Sequence, residues 1–234
     1  MRTLIQAGHH PTGGGAPGEA AWSFDLASRI AARLDSQGVE VAVIGDFFNM
    51  LPPPQCAEDW DLFVSLHYDA DIYPNRTGCF ADRATNDPMG AESDRAIALW
   101  EAAYLPATGI PLHNERRNPN TNQYYAFRFT TAQTPGIIIE HGVGQGLDHA
   151  MLFDQIDVVA DADAAAILTF LGIPPVPPVP VDPCEMPNKI KAHLERFVRE
   201  LQPKQTPWVA SVKRAAKKAG LTWADYLIKI AVEG

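Results

Sequence analysis

Residues 4–22 read LIQAGHHPTGGGAPGEAAW: a short apolar run, two histidines, a glycine-rich loop and a glutamate. An apolar run this short, ended by glycine, is typical of a buried strand. From Glu19 to Leu34 apolar residues recur every three to four positions, which predicts a helix that Gly38 ends. Residues 39–44, VEVAVI, return to strand character. The stretch therefore predicts two parallel strands joined by a helix in a right-handed crossover.

The same alternation continues along the chain. Residues 61–67, DLFVSLH, form a nearly continuous apolar run typical of a central parallel strand. Two more strands are predicted at 124–129 (YYAFRF) and 136–140 (GIIIE), and two more helices at 89–105 and 147–171. This order predicts an α/β fold, with a twisted, mostly parallel sheet flanked by helices and a small C-terminal helical domain.

Composition divides the chain into three regions. Residues 1–172 form the main domain, a proline-rich linker covers 173–187, and 188–234 carry the helical periodicity of a small basic domain. Residues 1–182 contain 9 Arg, no Lys and 23 Asp and Glu, a net charge near −14. Residues 183–234 contain 10 Lys and Arg with 5 Asp and Glu, a net charge near +5.

Several classes of protein are disfavoured. Three cysteines without a CxxC spacing support neither a disulfide framework nor a structural zinc cluster. The N-terminus lacks the basic and apolar regions of a signal peptide, and no apolar run reaches the roughly 18 residues of a membrane span. We therefore expect synthesis in the cytoplasm and no membrane insertion.

Four residues fall where predicted strands end or a helix begins: His9, Glu19, His67 and Glu140. In a parallel sheet these positions converge on one edge, where ligand sites gather. Two imidazoles and one carboxylate can hold zinc and leave its fourth position to water, and a further carboxylate can act as the base of a metal-assisted hydrolysis. The rival interpretation, a phosphate-binding loop, is weaker because GxxxxGK[ST] is absent.

Three blocks of the sequence resemble the zinc-dependent N-acetylmuramoyl-L-alanine amidases with an α/β catalytic domain, a family of bacterial cell-wall hydrolases and phage endolysins. They are IQAGHHPTGGGAPGEAAWSFDLASRIAARLDSQGVEVAVI (5–44), DLFVSLHYDAD (61–71) and TPGIIIEHGVGQGLDHAMLF (134–153). The resemblance implies that residues 1–172 are a zinc amidase domain. It also implies that His9, Glu19 and His67 bind Zn²⁺ and that Glu140 is the catalytic glutamate.

The resemblance implies a peptidoglycan hydrolase that cleaves the amide bond between N-acetylmuramic acid and L-alanine. An endolysin of this kind acts on the cell wall after release through a pore made by another protein. Two alternatives remain open at this stage: a zinc hydrolase of another peptide or amide bond, and a non-catalytic cell-wall-binding protein that keeps the fold.

Other polar residues receive secondary roles. A polar loop before the last strands can bind substrate carboxylates or sugar hydroxyls, or be merely solvated; its residues are His113, Asn114, Arg116 and Arg117. Asp69 and Asp71 can orient a ligand histidine or simply end the strand. Alternation on a strand sends His141 to the face opposite Glu140, where it supports the site or the core, and His10 is expected to serve the loop.

The basic tail at 188–234 has three possible roles. Its charge and its aromatic residues Trp208, Trp223 and Tyr226 suit binding to an anionic cell-wall polymer. Packing within a small bundle, or dimerisation, explains the same residues almost as well. The segment AAKKAGLTWADYLIKI at 215–230 also has a faint helix-turn-helix character, but nucleic acid is the least favoured partner.

Overall fold

The computed structural model of the protein describes residues 1–9, 15–48, 50–70, 75–117 and 119–174. Within these ranges no helix is both long enough and apolar enough to cross a membrane. His10 and Asp71 lie outside the described residues. So do the proline-rich linker from residue 175 onward and the predicted helical domain at 188–234.

The described residues form strands and helices in alternation. The strands are β1 (Arg2–Ala7), β2 (Glu40–Ile44), β3 (Leu62–Asp69), β4 (Phe80–Asp82) and β5 (Gly136–Val143). The helices are α1 (Glu19–Ser36), α2 (Gly90–Thr108), α3 (Pro119–Asn122) and α4 (Ile156–Phe170). Short turns of 3-10 helix occur at Pro54–Ala57, Asn114–Arg116 and Tyr125–Arg128, and a π-helical turn at Ala150–Asp154.

The five strands form one sheet in the order β2-β1-β3-β5-β4. β1, β2, β3 and β5 are parallel, and β4 pairs with β5 in the antiparallel direction. The prediction of a mostly parallel α/β sheet is thus confirmed. Because four strands share a direction, their carboxyl ends meet at one edge of the sheet.

The helices α1, α2 and α4 cover one face of this sheet. Leu26, Ile30 and Leu34 of α1 recur at helical spacing and are fully buried, in one cluster with Ile5 and Val64 of the sheet. Each side chain of this kind contributes about 1.5–3 kcal/mol when it is removed from water. The apolar residues that recur along α1 therefore form the face that packs on the sheet.

The prediction of a strand at 124–129 is wrong, since Tyr125–Arg128 form a turn of 3-10 helix. Tyr125 packs edge-on against Phe47 in a smaller core on the other face of the sheet. The place beside β5 is taken by β4, whose three residues are too few to show a period in the sequence. The aromatic alternation of the segment therefore serves packing on the face of the sheet.

The helix predicted at 147–171 is also corrected, because it is interrupted. The π-helical turn Ala150–Asp154 comes first, and α4 begins after Gln155 leaves helical geometry. The indole N–H of Trp22 donates to the carbonyl of Leu152 at 2.7 Å, so a group on α1 satisfies a carbonyl of the turn. This contact between distant residues has no local signature in the sequence.

Candidate metal centre and active site

Three residues from three separate elements converge at the carboxyl edge of the sheet. They are His9, which follows β1, Glu19, which begins α1, and His67 near the end of β3. One ligand atom from each lies within 4.8 Å of the others, so the three residues can hold a single metal ion. The two imidazole rings meet edge-on, with their centroids 4.9 Å apart. Two imidazole nitrogens and a carboxylate oxygen are a donor set that suits zinc.

His9 is held in an unusual backbone conformation. Its φ of 55° lies in the left-handed region, which residues other than glycine seldom adopt and which often marks a functional site. Its Nε2 lies 3.3 Å from Oε1 of Glu19. Burial lowers the pKa of His9 below its ordinary value, with Glu19 opposing this effect and His67 adding to it. The neutral imidazole favoured in this way is the form that binds metals.

Glu19 supplies the carboxylate of the group and is almost fully buried, with 2% of its surface exposed. Its Oε2 accepts a hydrogen bond from the backbone N–H of Ala16 at 2.7 Å, and its own N–H donates to the carbonyl of Ala16 at 3.1 Å. This reciprocal pair fixes the carboxylate of Glu19 at the start of α1, the positive end of the helix dipole. Oε1 is left facing both histidines and lies 3.0 Å from Nδ1 of His67.

Gly15 makes room for this arrangement, because a side chain there would collide with two of the three ligand candidates. A Cβ atom on Gly15 would lie 2.4 Å from the ring of His9 and 2.6 Å from Oε2 of Glu19. Its φ of +75° also favours glycine. Part of the glycine-rich loop is thus needed for close approach to the candidate metal centre.

Glu140 lies next to His67 in the neighbouring parallel strand. The two residues are paired across β3 and β5, so their side chains leave the same face of the sheet about 4.8 Å apart. Glu140 is half-buried, and its Oε2 atom is shielded from solvent. The structure therefore brings all four principal sequence candidates to one edge of the sheet.

His141 points away from this site, into the face covered by helices. It is fully buried, with Nδ1 2.8 Å from the carbonyl oxygen of His67 and Nε2 2.9 Å from Oδ2 of Asp163. Both neighbours are hydrogen-bond acceptors, so both sides of the ring are held. His141 therefore supports the backbone of β3 at His67 and does not touch its ring. Asp69 ends β3, where its carbonyl accepts a hydrogen bond from Gly144 at 3.1 Å.

The polar loop before β5 lies away from the three metal-ligand candidates. His113 donates its backbone N–H to the carbonyl of Cys79 at 2.8 Å, and Asn114 begins a 3-10 turn. Arg117 directs its guanidinium to Glu101 at 3.4 Å. Three strand spacings of about 4.8 Å separate His113 from β3, which makes roughly 14 Å. A contact from this loop to substrate would thus require an extended molecule.

Sequence reasoning missed the partners of His67 on the far side of its ring. Nε2 of His67 lies 3.0 Å from Oγ of Ser65 and 3.1 Å from the hydroxyl of Tyr124. Ser65 precedes His67 by two residues on the same strand, so period-two alternation could have found it. No pattern in the sequence points to the contact of Tyr124 with His67, because the alternation of its segment predicts a strand.

No protein-family model and no curated protein matches the sequence. Solved structures do match. The N-acetylmuramoyl-L-alanine amidase AmiC2 of Nostoc punctiforme is 22% identical, with a TM-score of 0.57 over 74% of this chain and 97% of that one. The N-acetylmuramyl-L-alanine amidase Ami1 of Mycobacterium smegmatis is 20% identical, with the same TM-score and the same coverage of both chains.

A third match is the catalytic domain of the CD27L endolysin targeting Clostridia difficile. It is 15% identical, with a TM-score of 0.53 over 72% of this chain and 97% of that domain. The described part of the chain therefore has the fold of amidase catalytic domains. This agrees with the fold that the resemblance of the three sequence blocks implied.

Proposed function

We propose that the protein is a peptidoglycan hydrolase that cleaves the amide bond between N-acetylmuramic acid and L-alanine, with zinc bound by His9, Glu19 and His67. One observation carries this proposal. The three donors meet at the carboxyl edge of a sheet whose fold is that of amidase catalytic domains, with Glu140 beside them. Fold alone does not determine a reaction, but the fold together with this group of donors favours metal-assisted amide hydrolysis.

The donor set fits zinc in its chemistry and its number. Three protein ligands leave one position open, as catalytic zinc sites do, whereas structural sites are closed by four ligands. When bound, zinc supplies a Lewis acid that polarises an amide carbonyl and acidifies water. The buried Glu19 offers a negative charge to the ion, and the lowered pKa of His9 keeps that ring ready to bind.

Glu140 serves as the general base and then as the general acid. It stands beside His67 on the same face of the sheet, so its carboxylate is close to any water that enters between the ligands. It takes a proton from the attacking water and delivers a proton to the amine that leaves. Without that second transfer the amine would have to depart as an amide anion, which is a poor leaving group.

The substrate contacts and the wall-binding region are finer parts of this proposal. His113, Asn114, Arg116 and Arg117 contact carboxylates or sugar hydroxyls of a long substrate. The basic residues 188–234 bind anionic wall polymers, which their net charge near +5 favours. The protein acts on the cell wall after release through a pore made by another protein, which the likeness to an endolysin catalytic domain supports.

The deciding experiment measures bound zinc and the peptides released from purified peptidoglycan, for the native protein and for Glu140→Gln. We expect about one zinc per chain in both proteins. Stem peptides with a new N-terminal alanine should be released by the native protein and lost in Glu140→Gln. Glu92→Gln, a glutamate in the first turn of α2, is the matched control and should keep both zinc and activity.

Other results would redirect the interpretation. Fragments that begin at another residue would indicate a hydrolase of a different peptide bond. Tight wall binding without turnover, even with added zinc, would support the non-catalytic alternative. Full activity in Glu140→Gln would show that Glu140 is not the general base.

A further inference from the structure

Two exposed phenylalanine rings rest on the small aromatic core at the open face of the sheet. Phe48 has 58% of its surface exposed and Phe129 has 41%. Phe48 packs edge-on against Tyr125 with ring centroids 5.2 Å apart, and Phe129 packs edge-on against Phe47 at 5.5 Å. Tyr125 and Phe47 contact each other at 5.1 Å, so the two exposed rings belong to one group, termed here the aromatic surface. Grouped apolar side chains that stay exposed often mark a binding site.

A series of ring contacts joins the aromatic surface to the candidate metal centre. Tyr125, which carries Phe48, contacts Tyr124 with ring centroids 4.8 Å apart. Tyr124 contacts His67 at 5.2 Å, and His67 contacts His9 at 4.9 Å. A molecule bound at the metal centre can therefore extend directly onto the aromatic surface.

The aromatic surface and the arginines of the β4 side stand on opposite sides of His67 and Glu140. The sheet order β2-β1-β3-β5-β4 places the segment after β2 on one side and the segment before β4 on the other. Phe48 follows β2, and two strand spacings, about 10 Å, separate the end of β2 from β3. Arg76 precedes β4, and its carbonyl accepts the N–H of Leu147 in the loop after β5 at 2.8 Å.

The two sides differ in charge. Within the described residues between β2 and the turn at Pro54–Ala57, the one charged side chain is Asp46. Its carboxylate accepts hydrogen bonds from the Tyr125 hydroxyl and from the N–H of Phe48, the latter at 2.9 Å. The β4 side carries the exposed Arg76 and, beyond it, Arg117. A neutral part of a substrate therefore suits the aromatic surface, and a part with carboxylates suits the other side.

The proposed substrate consists of two such parts. The bond to be cleaved joins a sugar, whose carboxyl group is neutral in the amide linkage, to a peptide that ends in a carboxylate. The C–H groups on one face of a sugar ring are apolar and slightly positive, which matches the negative face of an aromatic ring. The exposed Arg128, next to Phe129 in the chain, adds donors for hydroxyl and acetamido oxygens.

The size of the aromatic surface also favours a sugar over a second copy of the chain. Two aromatic side chains offer at most about 500 Å² of contact. A stable interface between proteins buries roughly 800 Å² on each partner. One or two sugar rings, in contrast, are matched by two phenylalanine rings.

We propose that Phe48 and Phe129 form a glycan subsite that stacks on neutral sugars of the peptidoglycan strand, while the stem peptide runs toward Arg76 and Arg117. This inference rests on the proposed function and gives its substrate a direction across the edge of the sheet. Sugar binding at the subsite needs neither metal nor turnover, so it can be measured separately from hydrolysis.

Binding of a neutral probe tests the subsite. We would titrate the zinc-free full-length protein with the tetramer of N-acetylglucosamine by calorimetry; the probe has no charge for the basic tail to attract. Phe48→Leu/Phe129→Leu keeps apolar side chains but removes both ring faces, whereas Phe48→Trp keeps a ring. Leu147→Ala, which removes an apolar side chain that is 66% exposed after β5, is the matched control.

We expect the native protein to bind the tetramer and Phe48→Leu/Phe129→Leu to bind it about 10-fold more weakly, because the stacking contacts are lost. Phe48→Trp and Leu147→Ala should stay within about 2-fold of the native affinity. On polymeric peptidoglycan, the paired leucine variant should raise KM about 10-fold and leave kcat unchanged, as expected when binding to the ground state and to the transition state falls equally. All four proteins should cleave a muramoyl peptide that lacks a glycan strand at the same rate.

Three results would overturn the proposal. They are equal tetramer binding by the native protein and Phe48→Leu/Phe129→Leu, an equal loss in Leu147→Ala, and a native dimer that the paired leucine variant converts to a monomer in sedimentation. Release of stem peptides by a native protein that does not bind the tetramer would also remove the subsite and leave the proposed function intact. Tetramer binding that depends on Phe48 and Phe129, without any release of peptides, would support the subsite while the proposed function fails.

Discussion

His67 and Glu140 stand side by side in β3 and β5, paired in register across two parallel strands. His67, a candidate metal ligand, thus lies one strand spacing, about 4.8 Å, from Glu140, the proposed base. The backbone of the sheet, and not a loop, sets the distance between the metal ligand and the proposed base. This rigidity makes the length of the Glu140 side chain important.

Glu140→Asp should keep zinc and lose about 100-fold in activity. The shorter side chain withdraws the carboxylate by more than about 1 Å, and a displacement of this size costs that much in rate. Release of stem peptides with N-terminal alanine measures the rate, and metal analysis measures the zinc. An Asp variant as active as the native protein would show that Glu140 does not transfer the proton.

Glu19→Gln should weaken the stabilisation by zinc while preserving the fold. The amide keeps the shape of the side chain but loses the charge that faces both histidines. Zinc at roughly 100 times its Kd stabilises a protein by about 2.7 kcal/mol, so native protein should melt higher with zinc than with a chelator. Thermal unfolding with and without zinc checks this, and Glu92→Gln should respond as the native protein does.

Gly8→Ala should damage both stability and zinc binding. A Cβ atom there would lie 2.4 Å from Cε1 of His67 and 2.5 Å from the carbonyl oxygen of Leu66, and the backbone atom cannot yield. We expect a loss of about 1–3 kcal/mol from such overpacking, measured by denaturant unfolding. Gly90→Ala is the control, because its new methyl group would meet only the flexible end of Arg83 at 3.2 Å.

Asp163→Ala should destabilise the protein by about 3–5 kcal/mol, since it leaves buried partners uncompensated. Oδ1 of Asp163 accepts from the indole of Trp100 at 2.9 Å, and Oδ2 accepts from His141 at 2.9 Å. Asp161→Ala on the same helix removes a surface ion pair with Arg33 and should cost under about 1 kcal/mol. Equal losses in the two variants would contradict the importance given to the buried hydrogen bonds of Asp163.

The zinc-free protein should lose stability as the pH falls below about 6.5, in part through His9. Burial lowers the pKa of this histidine in the folded state, so the unfolded chain binds the proton more readily. The contribution is complete above the unfolded pKa and is lost as the pH falls through that value towards the folded pKa. Unfolding free energies from about pH 5 to 8 should depend less steeply on pH in His9→Asn.

Local patterns were sufficient for much of the fold. The strands around Ile5, Val64 and Ile138 and the helix α1 follow from apolar periods that burial on one or both faces imposes. They failed at β4, which is too short to show a period, and at Tyr125–Arg128, where aromatic residues pack on the sheet without pairing in it. The same patterns also predicted one continuous helix where the structure has a π-helical turn followed by α4.

The sequence by itself determined which residues end the parallel strands and begin α1, and therefore that His9, Glu19, His67 and Glu140 would share an edge. Periodicity and strand direction are local properties, and they suffice for that step. Only the tertiary structure decided the register that places Glu140 beside His67, the contact between Glu19 and His67, and the hydrogen bonds that join Gln6 to Ser65 and to Tyr125. Those features depend on contacts between residues 48 to 119 positions apart, whose partners are chosen by packing and hydrogen bonding in the folded molecule.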